Sequence, residues 1–195
     1  LSYGFVIAFG CYSVNVVNCY AQDLRHFVSI GGSTGINLFV NVTNCHITGC
    51  RAAGIDSHAA GDFVNFSGNT IMGSMEGITP DGINCSGLNA IINDNIVVDA
   101  RRHAILYQQT TNFDTGSGSV TISGNQIINN GDNSGGADTG ILVLNSESSV
   151  ETLAGVVISN NRIEGLDGSG NTGGTYGIYV KAAHTIKDVA INGNV

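Results

Sequence analysis

The chain has 195 residues, 42% hydrophobic and 11% charged, which is enough for one well-buried domain and too apolar for a disordered chain. A net charge of −8, with only seven Lys and Arg and no cluster beyond Arg101 and Arg102, argues against a nucleic-acid partner, and no apolar run is long enough to span a bilayer. Twenty-eight glycines, one proline and recurrent short runs of Val, Ile and Asn point instead to many short strands separated by turns.

In chain order, the first predicted strand is YGFVIAF, and Leu1 precedes it with no basic region or cleavage site. A second unit, VNVVNCYA, then opens a motif that recurs as VNVTNCHI, VNFSGNTI, AIINDNIV, VTISGNQI, VVISNNRI and the closing VAINGNV. Each copy reads apolar, any, apolar, two small or polar residues, Asn or Cys, any, apolar. The Asn/Cys position falls at Cys19, Cys45, Asn69, Asn95, Asn125, Asn161 and Asn194, with separations of 26, 24, 26, 30, 36 and 33 residues. Between these copies lies a second unit, usually Gly followed by an apolar residue, in AGIDS, DGINC, HAILY, TGILV and YGIYV, with HFVSI a poorer copy.

Alternating strands that repeat at such intervals bury their apolar faces only by stacking one repeat on the next. The expected fold is therefore all-β, a single-stranded parallel β-helix of about seven coils and one domain over residues 1–195, roughly 30 Å long at a rung spacing of about 4.8 Å. The asparagines are expected to form an internal structural ladder that Cys19 and Cys45 continue. The five cysteines (Cys11, Cys19, Cys45, Cys50, Cys85) match no zinc spacing, and buried thiols are expected. Because the chain begins inside a strand and stops within the seventh copy, both ends are read as truncated and the chain as an excerpt of a longer helix.

The strings VNFSGNTI, VTISGNQI and VVISNNRI resemble the repeats of the pectate-lyase-like right-handed parallel β-helix superfamily, over nearly the whole chain. That resemblance implies the right-handed sense and a range of functions: lyases, hydrolases, epimerases, phage tailspike depolymerases and noncatalytic adhesins. Locally, over residues 53–107, AGIDSH is similar to the Tyr-Gly-Phe-Asp-Pro-His motif of mannuronan C5-epimerases, and DGINCS and RRHAIL parallel that family's next two strands. Two positions depart from its pattern. Its leading proton-transfer tyrosine is Ala53 here, and its catalytic aspartate of the next coil falls at Ser86.

Within the stack, inward Ile55 and Ser57 leave Asp56 and His58 on the outer face, about 6 to 7 Å apart along the strand. The matching outward positions are Ser29 and Gly31 on one side, then Asn84 and Ser86, Leu106 and Gln108, Leu142 and Leu144, and Tyr179 and Lys181 on the other. A neighbouring column runs through His26, Ala53, Asp81, His103, Thr139 and Tyr176, with Arg102 beside it and Glu76 in the loop leading in.

This patch suits acidic sugars. β-Elimination on a uronan requires neutralising the sugar carboxylate, for which Arg102 is the candidate, and moving protons at C5 and the leaving oxygen, for which His58 or His103 are the candidates. Hydrolysis requires two carboxylic groups about 5 to 9 Å apart, and Asp56 and Asp81 are that pair. His26, Glu76, Asn84, Ser86, Gln108 and Tyr179 are the candidate substrate-binding residues.

The alternative for Asp56 and His58 is an ordinary solvated pair, for Arg101 and Arg102 pairing with Asp99, and for Asp62 and Glu76 a solvated loop position. Calcium would require the Asp132 and Asp138 pair, whose spacing matches no twelve-residue calcium loop, so no cofactor or metal is expected. Aromatic sugar platforms look thin, with Tyr179 outward and Tyr107 inward.

The favoured reading is a carbohydrate-active β-helix, a tailspike-like lyase or hydrolase that cleaves an extracellular or capsular polysaccharide, with uronate-containing polymers among the expected substrates. Its expected location is extracellular or on a virion tail, and its expected assembly a homotrimer, with Leu106, Leu142 and Leu144 at the subunit interface. A uronan C5-epimerase or alginate lyase-like enzyme and a noncatalytic glycan-binding adhesin or fibre shaft are the alternatives.

Overall fold

A computed structural model describes residues 2–31, 37–73, 81–109, 118–131, 138–145, 152–166, 174–182 and 185–195. These residues form strands joined by short turns, with no helix among them. The first repeat carries β1 (Tyr3–Ile7), β2 (Tyr12–Val17) and β3 (Tyr20–Gln22). The second carries β4 (His26–Ile30), β5 (Asn37–Thr43) and β6 (His46–Thr48), and the third β7 (Ile55–Asp62), β8 (Val64–Ser67) and β9 (Thr70–Met72). Next come β10 (Ile83–Gly87), β11 (Asn89–Asn93) and β12 (Ile96–Val98), then β13 (His103–Gln109), β14 (Gly118–Ser123) and β15 (Gln126–Ile128). The chain continues through β16 (Asp138–Asn145), β17 (Leu153–Ser159) and β18 (Arg162–Glu164) to β19 (Thr175–Ala182) and β20 (Ile186–Asn192).

Each strand pairs in parallel with the strand three positions away in the chain, so three strand columns result. The first begins at β1 and ends at β19, the second runs from β2 to β20, and the third, from β3 to β18, is a separate six-stranded sheet. The first two columns merge where the long β7 continues past the corner, with Asn37 opposite Gly61 and Leu38 opposite Asp62. HFVSI, the poorer copy, is β4 and sits in register with its neighbours, Val28 opposite Phe5 and Ile55.

The inward residues stack in files. Val42, Phe66, Ile92, Ile122 and Ile158 line the second column, Ile47, Ile71, Val97 and Ile127 the third, and Ile55, Ile83, Ile105 and Ile141 the first, all essentially inaccessible. A strand period of two places every second residue in this shared core, which is why the apolar alternation in the sequence translates directly into burial.

The turn between the second and third columns consists of one left-handed residue followed by the Asn/Cys position. Asn18, Asn44, Gly68, Asp94, Gly124, Asn160 and Gly193 all have φ between 55° and 67°. Short polar residues and glycine are the types that tolerate this conformation. Glycine has a second task here: a Cβ on Gly124 would lie within 3 Å of Asp94 Oδ1, so glycine makes room for the polar side chain of the preceding repeat.

The asparagine ladder is present. Asn69 Nδ2 donates to Val42 O (2.9 Å) and to Asn95 Oδ1 (3.0 Å), and the Asn69 amide donates to that same oxygen at 3.0 Å. Asn95, Asn125 and Asn161 repeat the pattern up to Asn194. Cys45 continues it by donating its amide to Asn69 Oδ1 (3.0 Å), with its thiol directed at Val16 O (3.6 Å). Cys45, Cys50 and Cys85 are buried free thiols, and burial pushes Cys50 up to about 11. Cys11 and Cys19 are only half-buried, which corrects the expectation of five buried thiols.

Candidate functional site

The register of the first column sets the site. Asp56 lies opposite Ser29 on β4 and Asn84 on β10, and the file continues through Leu106, Leu142 and Tyr179. Ile55 and Ser57 are fully buried on the inner side. Asp56 faces the other way, yet only 3% of it is exposed, because side chains from the neighbouring strands cover it. It is therefore not a solvated surface carboxylate.

Two histidines converge on Asp56. His58 Nε2 lies 2.9 Å from Asp56 Oδ2, and His26 Nδ1 lies 3.6 Å from the same oxygen and 3.0 Å from Ala53 O. The Asp56 hydrogen bond holds the His58 pKa above its ordinary value, outweighing the effect of partial burial. Burial dominates at His26 and lowers its pKa, with Asp56 opposing. A carboxylate accepting at Nε2 fixes the neutral His58 tautomer as Nε2–H and leaves the Nδ1 lone pair available. The Cδ2 edge of the ring rests over Gly31, where a Cβ would sit 3.3 Å away.

The second charged pair is Asp81 with Arg102, bidentate through Nε to Oδ1 (3.0 Å) and Nη2 to Oδ2 (2.7 Å), with the His103 amide also donating to Oδ1 at 3.2 Å. Arg102, just before β13, thus pairs with Asp81, just before β10, rather than with Asp99. Burial raises the Asp81 pKa, and Arg102 opposes the rise. His103 is buried, and its pKa is pushed down to about 3 by that burial and by Arg102.

His26, Asp56, His58, Asp81, Asn84 and Arg102 line one open cleft of about 230 Å³. Two residues that sequence reasoning passed over join them, Tyr3 and Arg25. Tyr3 lies opposite His26 and stacks on its ring at 5.5 Å, while Arg25 donates to the Tyr3 hydroxyl at 2.9 Å and lies over its ring. Their signals were in the sequence: Tyr3 precedes Phe5 by two, as Ala53 precedes Ile55, and Arg25 precedes His26 as Arg102 precedes His103. Among the described residues Arg25 pairs with no carboxylate. Asp56 Oδ1 and Asn84 Oδ1, on adjacent strands, are buried acceptors without a protein donor among those residues.

The other candidates lie elsewhere. Ser86 is buried, and its carbonyl accepts from Ser57 Oγ at 3.2 Å; the pairing shifts directly after Cys85, so Ser86 does not continue the His58 position. Gln108 sits on β13 opposite Leu144, and Tyr179 on β19 is stacked against Tyr176 at 4.7 Å, four strands from β7. Glu76 and Asp132 fall outside the described residues, and Asp138 is buried.

Asp62 is not a solvated loop residue: it ends β7, is buried, and accepts from Asn89 Nδ2 and the Phe63 amide, both at 2.8 Å. Leu106 is buried within the chain, and Leu142 and Leu144 are half-buried, so they form no open apolar stripe. Among the described residues no group of three or more His, Cys, Asp or Glu is placed to hold a metal ion.

No protein-family model matches the chain, and comparison with the curated proteins and with the solved structures returns no match.

Proposed function

We propose that the chain is a stretch of right-handed parallel β-helix, of the pectate-lyase-like kind, that cleaves an extracellular or capsular polysaccharide by β-elimination next to a uronate. The reading rests chiefly on the His58–Asp56 pair, an open imidazole oriented by a covered carboxylate inside a polar cleft. Neutral His58 takes the C5 proton on Nδ1, the C5–H electrons form the C4=C5 double bond, and the C4–O bond breaks toward the leaving sugar. The Tyr3 hydroxyl, which shares the cleft, donates the proton to that oxygen, and Arg25 stabilises the resulting phenolate.

A cation without a carboxylate partner supports an acidic substrate: Arg25, one of seven cationic residues in an acidic chain, lines the cleft and pairs with no carboxylate among the described residues. Arg25 also takes over the carboxylate-neutralising role, because Arg102 is committed to Asp81.

Elimination is favoured over hydrolysis because Asp81 spends both carboxylate oxygens on Arg102 and the His103 amide. That leaves Asp56 without a second free carboxylic group. C5 epimerisation shares the first proton transfer and differs in returning a proton to C5, so it is the second reading. A virion tail location and a homotrimeric state belong to the same proposal and rest on resemblance.

The test is incubation with alginate, polygalacturonate and bacterial capsular uronans in deuterated buffer, following unsaturated-uronate absorbance, chain length and C5 deuteration. Absorbance that is lost in His58→Ala supports the lyase, and deuteration without shortening supports the epimerase. Reducing ends without absorbance would overturn both in favour of hydrolysis. No change in any uronan would remove the catalytic reading.

A further inference from the structure

The outer face of the second strand column carries a feature unrelated to the His58 cleft. Two adjacent files of outward residues run up it. One passes through Phe39, Phe63, Asn89 and Ser119, and the other through Asn41, Asn65, Ile91 and Thr121. Together they line a concave groove of about 480 Å³.

The lower half of the groove is aromatic. Phe39 and Phe63 are 41% and 50% exposed and lie ring on ring, 5.2 Å between centroids at 17°. Tyr12 meets Phe39 edge-on at 5.2 Å, extending the aromatic file. Both phenylalanines adopt left-handed backbone, φ 56° and 51°, a conformation that costs a bulky residue about 1–2 kcal/mol. Ser13, in the same register one repeat below, shares the conformation (φ 56°), so the bend belongs to this corner, and what sets Phe39 and Phe63 apart is that bulky rings occupy it in water.

The rest of the lining is uncharged and, apart from Ala90, Val64 and the exposed Ile91, polar. Asn89 Oδ1 accepts from the Ser119 hydroxyl, and Asn41 Nδ2 donates to Asn15 Oδ1. Asn65 Nδ2 and the Thr121 hydroxyl take no protein partner among the described residues. No residue that lines the groove carries a charge, and the nearby Asp62 carboxylate is covered by Asn89 and the Phe63 amide.

We propose that this groove binds a neutral glycan segment along the strand stack, with a sugar ring on the face of Phe63 that is not stacked on Phe39 and hydroxyls bonded to Asn65 and Thr121. An exposed stacked aromatic pair beside unspent amide and hydroxyl groups suits pyranose rings, which carry apolar C–H faces and equatorial hydroxyls. An acidic polymer fits worse, since this face offers no cation and the protein as a whole is negatively charged. The site stands independently of any cleavage at His58, on a different column and for a different class of sugar.

The experiment is affinity electrophoresis of the native protein in gels containing glucomannan, galactomannan, dextran, alginate or polygalacturonate. At least one neutral polymer is expected to retard the protein. Phe63→Ala and Phe39→Ala are expected to weaken that retardation about ten-fold each, as is Phe63→Leu, which keeps apolar bulk but loses the flat face. Tyr20→Ala, an exposed ring elsewhere on the surface, is the control expected to leave it unchanged, and circular dichroism melts verify that all variants fold. Three results would overturn the proposal: no neutral polymer retards the protein, retardation survives in both phenylalanine variants, or sedimentation equilibrium shows self-association that Phe63→Ala abolishes, making the face a subunit contact.

Discussion

His58 Nε2 lies 2.9 Å from Asp56 Oδ2, and the two ends of that bond live in different surroundings: the carboxylate side chain is 4% exposed and the imidazole 63%. The carboxylate therefore orients and the imidazole meets the ligand. Asp56 raises the His58 pKa above 6.5, so activity that needs neutral His58 should rise with pH through that raised value. Asp56→Asn should move the rising limb to lower pH and reduce turnover, and an NMR titration of the His58 ring should show the same shift. A limb that stays in place in the variant would separate His58 from the reaction. For stability the sign is opposite: the bond contributes fully below pH 6.5 and fades as pH rises through the folded value.

The bidentate Asp81–Arg102 pair invites a stability measurement. Removing Arg102 leaves a buried carboxylate uncompensated, so Arg102→Ala should lower unfolding free energy in urea by about 2–4 kcal/mol, discounted because Arg102 is a quarter exposed. Adding Asp81→Ala should restore part of the loss, since no unpaired charge then remains. A double variant as unstable as the sum of the two singles would show that the pair is not coupled.

Much of this arrangement could be read from the chain. Strand alternation and the repeat fix which residue faces which, so Asp56 opposite Asn84 and Asn95 above Asn69 follow from counting. What counting misses is lateral cover. Asp56 reads as outward and is outward, but its burial depends on where His26 and His58 aim their rings. Arg102 has Asp99 three residues away in sequence and Asp81 next door in space, and the latter wins through bidentate geometry. Ser86 departs from the simple register because β7 holds extra residues between Ser57 and Gly61, a local irregularity without a periodic signal. The exposed Phe39 and Phe63 escaped notice as a platform because two outward rings become one surface only when their repeats are stacked.

The ladder predicts opposite effects at two of its positions. Asn95→Ala deletes the bonds to Phe66 O and Asn125 Oδ1 and strips the acceptor from the Asn69 amide and side chain. With buried donors left unmet at about 1–3 kcal/mol each, the loss should be about 3 kcal/mol in chemical denaturation. Cys45→Asn should instead be neutral or gain up to about 1 kcal/mol, because an amide there can donate to both Val16 O and Asn69 Oδ1. Equal destabilisation at both sites would mean that side-chain volume, not hydrogen bonding, governs this file.

Left-handed glycines differ in what surrounds them, Gly124 in the turn column and Gly155 within β17. Gly124→Ala places a Cβ against Asp94 Oδ1, whereas the nearest atom to a Cβ on Gly155 is Ser119 Cβ at 3.5 Å. Both variants meet the conformational penalty of about 1–2 kcal/mol, and only Gly124→Ala adds a clash. Thermal melts should therefore rank Gly124→Ala clearly below Gly155→Ala, and the reverse order would contradict the packing of the turn column.

Acid should probe His103 most directly. Its folded pKa is pushed down to about 3, while the unfolded chain protonates near 6.5, so the unfolded state binds the extra proton throughout that window. Stability should fall as pH drops from about 6.5 toward 3, by up to about 1.4 kcal/mol per pH unit from this one group. His26, also held down by burial, adds to the slope, and Asp81, whose pKa burial raises, works against it. Replacing His103 with Gln removes its proton but leaves those two in place, so unfolding free energies measured between pH 6 and 4 should fall less steeply in His103→Gln than in the parent. Parallel slopes would mean that His103 is solvated and protonates freely in the folded chain.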